Sequence, residues 1–73
     1  MAIETETIRI TVNGEARDCV AGRTVTDLLS ELGLHPRMVV VEHNREILDR
    51  ARFDAVQVRA GDVFELVHFV GGG

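Results

Sequence analysis

Three glycines, Gly71, Gly72 and Gly73, follow Val70 and a strand-like apolar run, Val63-Phe64-Glu65-Leu66-Val67-His68-Phe69. Glycine has no Cβ, so such a segment can enter a groove too narrow for side chains and leaves its last carbonyl open to attack. The chemistry this arrangement suits is acyl transfer at the α-carboxylate of Gly73, a weak electrophile that needs a better leaving group before a nucleophile can displace it. Fully extended, four residues span at most roughly 13–14 Å, enough to reach into another protein's active site. The competing reading is an inert, unstructured end.

Other residues that could do chemistry are sparse. Cys19 is the only cysteine, so it forms no internal disulfide, and it reads as a small, partly buried hydrophobe in a strand rather than a reactive thiol. His35, His43 and His68 are scattered, with no Cys or His partner at metal-ligand spacing, and a zinc site is not expected. No Gly-rich loop leads into Lys-Ser or Lys-Thr, so there is no phosphate-binding loop. Activating a carboxylate as a mixed anhydride with phosphate needs groups that neutralise nucleotide charge, and an acidic chain does not supply them. No bound cofactor is expected, and any ATP must be held in trans by a partner.

Composition narrows the function classes. Seventy-three residues make one small domain with no room for an internal catalytic cleft, and 45% apolar with 27% charged residues is ordinary for a globular protein. A net charge of −4 argues against nucleic acid, which needs a basic face. No stretch is long and apolar enough for a membrane span, and the Met-Ala-Ile-Glu-Thr-Glu start lacks a basic region followed by an apolar one. A cytoplasmic location is the expectation. All eight basic residues are arginine, which suits an activated carbonyl because guanidinium acylates poorly, although biased codon usage explains it equally well.

The elements that must position the tail are legible in the pattern. Thr7 to Val12 alternates, with Ile8, Ile10 and Val12 on one face; Asn13-Gly14 is a hairpin turn, and Glu15 to Val20 is the return strand. Thr24 is an N-cap with Asp27 three residues on, and Val25, Leu28, Leu29 and Leu32 recur on one helix face up to Gly33. The helix is expected over about Thr24 to Leu32, with Leu28, Leu29 and Leu32 buried. Met38 to Val41 reads as a strand, His43 to Glu46 as a polar turn into a short strand at Glu46 to Leu48, and Phe53 and Val56 as plugs over the core. Ala60-Gly61-Asp62 turns into the last strand, whose alternation places Phe64 and Leu66 in the core and Val67 and Phe69 on the other face. The expected class is α+β, a mixed sheet packed on one main helix with the last strand central beside the first. Residues 1–70 form the domain and 71–73 a flexible glycine tail in this reading.

Taken together, these residues resemble the ubiquitin-like β-grasp family and, within it, the sulfur carriers of thiamin biosynthesis. The resemblance rests on Val12-Asn13-Gly14-Glu15, Thr24-Val25-Thr26-Asp27-Leu28-Leu29, Asn44 with Ile47, Gly61-Asp62, and Val67-His68-Phe69-Val70-Gly71-Gly72-Gly73. It implies a protein cosubstrate rather than an enzyme. A ThiF-like adenylating enzyme would join AMP to the carboxylate of Gly73, and sulfur from a cysteine desulfurase or another donor would displace AMP to leave a thiocarboxylate. A ThiG-like thiazole synthase would receive that sulfur. Docking needs an apolar patch near the tail, for which Val67, Phe69 and Val70 are the candidates, with Val40 and Leu48 as possible neighbours. A molybdopterin synthase small subunit shares the implied chemistry, but that family tends to be longer with a proline-rich approach to its glycines; a modifier forming isopeptide bonds is the alternative of a different class.

Overall fold

The asparagine-glycine pair closes the first hairpin as its chemistry requires. Asn13 and Gly14 take φ of 50° and 82°, the doubly left-handed turn whose twist matches that of the flanking strands. In the computed structural model, which describes residues 6–69, β1 (Thr7–Val12) and β2 (Glu15–Val20) pair antiparallel from Thr7 opposite Val20 to Val12 opposite Glu15. Both strands have the expected bounds. Residues 1–5 and 70–73 lie outside the described range, and with them the proposed tail and the C-terminal limit of the domain.

Helix α1 (Val25–Glu31) begins in a complete capping box. The Thr24 hydroxyl accepts from Asp27 N–H, and the Asp27 carboxylate accepts from Thr24 N–H at 3.0 Å. The Thr24 N–H, and after it the Thr24 hydroxyl, stabilise the ionised Asp27 carboxylate and hold that carboxyl below its usual range. At the other end Gly33 N–H donates to Ser30 O and Leu34 N–H to Leu29 O, the paired bonds of a Schellman stop, with Gly33 at φ 73°. The helix is therefore slightly shorter than expected, because Thr24 and Leu32 are caps. Leu28 and Leu29 are fully buried, but Leu32 is only partly covered, since the chain turns away at the cap and lifts its side chain towards the rim of the core.

A 3-10 turn (Pro36–Met38) leads into β3 (Val39–His43), so Met38 belongs to the turn and not to the strand. Pro36 favours the first turn of such a helix, and the ring nitrogen of His35 accepts from Arg37 N–H. A second left-handed turn, Asn44 at φ 50° and Arg45 at 73°, joins β3 to β4 (Glu46–Leu48). A further 3-10 turn (Arg50–Arg52) and an irregular connector reach β5 (Val63–His68). Within the connector Phe53 and Val58 are buried and Val56 partly so.

The sheet order is β2-β1-β5-β3-β4, with β1 and β5 parallel and the other pairs antiparallel. This is the mixed sheet of the β-grasp, and β5 lies at its centre. Its inner residues, Phe64 and Leu66, meet Ile10, Val41, Leu28 and Leu29 in one core between sheet and helix. Among the described residues no helix is long and apolar enough to cross a membrane.

Candidate functional site

The strand that precedes the glycines is fixed from both sides by the two left-handed turns. On the β1 side, pairing with β5 extends only over Thr11 with Val63 and Val12 with Phe64. Asn13 continues it: its N–H donates to Phe64 O at 2.9 Å, and its side-chain amide takes the place of a further residue of strand. The Oδ1 of Asn13 accepts from Leu66 N–H at 2.7 Å, and its Nδ2 donates to Leu66 O at 3.2 Å.

On the β3 side, Asn44 N–H donates to Val63 O and Asn44 Oδ1 accepts from Val63 N–H, each at 2.8 Å. The same side chain donates through Nδ2 to Asp62 Oδ1. Asp62 is nearly buried, and its Oδ2 accepts from Arg59 N–H at 2.8 Å and from His43 Nε2 at 3.0 Å. Burial alone would raise this carboxyl, but the bonds from Arg59, Asn44 and His43 outweigh it and hold it below the ordinary aspartate range. The imidazole of His43 in turn stacks on Phe64, with ring centroids 4.8 Å apart. These contacts orient β5 from its first residue to Leu66.

Beyond Leu66 the strand stays on its ladder with β3, and Phe69 N–H donates to Met38 O. Val67 and Phe69 are 62% and 42% exposed, on the side away from the core as their alternation predicts. Val40, directly across from Val67, is exposed as well. Leu48 is not part of this patch. It pairs with Val41 on the inner face and is buried, while the preceding residue, Ile47, is 69% exposed and takes the outer position. Val70, Gly71, Gly72 and Gly73 lie outside the described residues.

Among the described residues no nucleophile with an activating base stands near this strand. Cys19 is buried on the opposite flank of the sheet, and desolvation, aided by the Glu31 carboxylate, pushes its thiol pKa up and away from thiolate chemistry. Among the described residues no three His, Cys, Asp or Glu side chains converge as a metal site would need. His68 is exposed at the end of β5, and Arg50 is spent on Pro36 O. Among the described residues the arrangement presents a strand and an apolar surface. Sequence reasoning missed the bracing by Asn13, Asn44 and Asp62, because the first two read only as turn formers.

Comparison with known proteins agrees with this geometry. The model of the ThiS family matches residues 10–73. The chain is 44% identical over 66 residues to a thiazole synthase of Paramagnetospirillum magneticum, covering 90% of this chain but only 20% of that protein. It is 46% identical over 50 residues to the sulfur carrier protein ThiS of Bacillus subtilis, covering 68% of this chain and 76% of that one. The crystal structure of a thiamine biosynthesis protein, ThiS, from Geobacter metallireducens superposes with a TM-score of 0.73 at 43% identity, over 90% of this chain and 100% of that one.

Proposed function

The chain belongs to the ThiS family, a family of sulfur carriers rather than enzymes, and from that premise we propose that it carries sulfur on the C-terminal carboxylate of Gly73 for thiazole formation in thiamin biosynthesis. An adenylating enzyme transfers AMP from ATP to that carboxylate, forming a C–O–P mixed anhydride and releasing pyrophosphate. Hydrosulfide then attacks the carbonyl carbon; the C–S bond forms, the C–O bond to AMP breaks, AMP leaves and a thiocarboxylate remains. A persulfide donor instead gives an acyl disulfide that a thiol must then cleave, the thiol and the donor sulfur leaving as a disulfide. A thiazole synthase takes the sulfur from it.

The observation that carries this reading is that the family match runs through residue 73, so the glycines belong to the family's own pattern. The braced strand gives the mechanism its physical support. Acyl transfer between two proteins gains from holding the reacting carbonyl in one direction, and β5 is fixed by side-chain bonds from both neighbouring turns up to Leu66. A thiazole synthase that contains a segment similar to this chain supports the pairing of carrier and synthase.

The test is intact mass. Incubation with the adenylating enzyme, ATP and a sulfur donor is expected to give first an AMP adduct and then a protein with one oxygen exchanged for sulfur. A chain shortened by Gly72 and Gly73 is expected to remain unmodified. Modification of the shortened chain, or attachment of the parent to a lysine of another protein, would overturn the carrier reading.

A further inference from the structure

Glu42 of β3 and Glu65 of β5 stand directly opposite each other in the antiparallel ladder. The bonds from Asn44 N–H to Val63 O and from Phe69 N–H to Met38 O set the phase of that ladder. Glu42 with Glu65, and Val40 with Val67, are therefore the pairs that exchange main-chain bonds, with Cα atoms ~5.5 Å apart. Both carboxylates occupy the outer face of the sheet, since the residues alternating with them, Val41 and Leu66, are in the core. Like charges directly opposed across a ladder destabilise it. None of the ion pairs found among the described residues involves either glutamate.

Towards the end of β5 and on the β4 side, the neighbours of this pair are apolar. Val40 and Val67 form the next outer pair along the ladder, and Ile47 lies across from Glu42 on the other side. All three are exposed. Two carboxylates close enough to share one counter-charge, bordered by exposed aliphatic groups, make a surface that is unfavourable in isolation and favourable against a cation in an apolar setting.

We infer that this face is completed by an arginine of the protein partner, its guanidinium seated between Glu42 and Glu65 and the apolar groups around it packed on Val40, Ile47 and Val67. The inference rests on the proposed function for the partner's identity, the adenylating enzyme. A planar guanidinium offers several N–H donors in a fixed fork and bonds two carboxylates at once, which a single ammonium does less well. Exclusion of water by the aliphatic rim strengthens those bonds. A second copy of this chain is a poor occupant, because it would bring another acid pair on a molecule of net charge −4.

The experiment compares the full chain with its Glu42→Gln, Glu65→Gln double variant, reading affinity for the adenylating enzyme by calorimetry, AMP transfer by intact mass, and thermal stability. Removing the charges is expected to weaken binding by about tenfold and to remove most of its salt dependence. The same variant is expected to melt roughly 1–5 °C higher, because the cross-strand repulsion is gone. A folding defect would lower both, so the opposite signs separate docking from structure. If the parent binds and accepts AMP while the double variant binds equally well, the docking inference falls and the carrier reading stands. Charge-dependent binding without AMP transfer sinks the carrier reading and leaves the docking face. A parent that does not bind, or that dimerises through this face more strongly once the charges are removed, overturns the inference.

Discussion

The side-chain amide of Asn13 pairs with both main-chain groups of Leu66, 53 residues away, donating to its carbonyl and accepting from its N–H. An amide side chain has the donor and acceptor of a peptide unit, so Asn13 extends the pairing of β1 with β5 after β1 itself has turned away. The residue that makes the hairpin turn thus also fixes the last strand.

Replacing Asn13 with glycine separates these two roles. Glycine accepts φ of 50° without strain, so the turn survives, while the bonds to Leu66 are lost. Asn13→Gly should cost about 1–3 kcal/mol in urea unfolding, with faster amide exchange at Leu66. Asn13→Ala should cost roughly a further 1 kcal/mol, because a Cβ is strained in this conformation. A glycine variant as stable as the parent would show that the amide braces nothing.

Asp62 predicts an acid dependence. Its folded pKa lies below the unfolded aspartate value of ~3.9, so the ionised carboxylate stabilises the fold. That contribution is fully present above the unfolded value and is lost as pH falls through the folded one. Asp62→Asn keeps a single acceptor for three donors, from Arg59, Asn44 and His43, and should melt lower than the parent at neutral pH. The gap should close as both proteins are taken to acid. A gap independent of pH would assign the loss to packing instead.

Much of this architecture was readable because its rules are local. Alternation gave β1 its bounds, Asn13-Gly14 gave the hairpin and with it the return strand β2, and Thr24 with Asp27 and Gly33 gave the helix ends to within one residue. Alternation also separated Leu66 from Val67. It failed at Glu46–Leu48, where three residues carry too little pattern to show which of Ile47 and Leu48 faces inward; pairing with Val41 decides that, and it places Leu48 in the core. Val58 was missed for a related reason. It lies in an irregular connector, held by a bond from its N–H to Arg23 O that no spacing announces. The bracing of β5 is likewise nonlocal, since turn asparagines look alike in sequence whether or not their amides reach a distant strand.

Leu29 tests the core that the helix periodicity identified. It is fully buried between α1 and the sheet, and its carbonyl receives the Leu34 N–H of the helix stop. Leu29→Ala should cost about 2–5 kcal/mol, through lost burial and the cavity left behind. In a domain whose total stability is on the order of 5 kcal/mol, that unfolds a measurable fraction at ambient temperature. Chemical denaturation with unchanged stability would be inconsistent with the packing described.

Adjacent residues of β5 should separate fold from function. Leu66 is buried against Val41 and the helix, so Leu66→Glu places a carboxylate in the core without a partner and should prevent folding, seen as loss of the cooperative melt. Val67 is 62% exposed on the outer face, across from Val40. Val67→Glu should leave a cooperative transition within about 1 kcal/mol of the parent, the small loss reflecting like charge near Glu65. It should nevertheless slow AMP transfer by about tenfold or more, because the new charge must be desolvated in an apolar contact. The carboxylate of Gly73 is untouched by this change, so a deficit would arise from docking and not from chemistry at the terminus. Full AMP transfer to a folded Val67→Glu protein would remove the outer face of β5 from the partner interface.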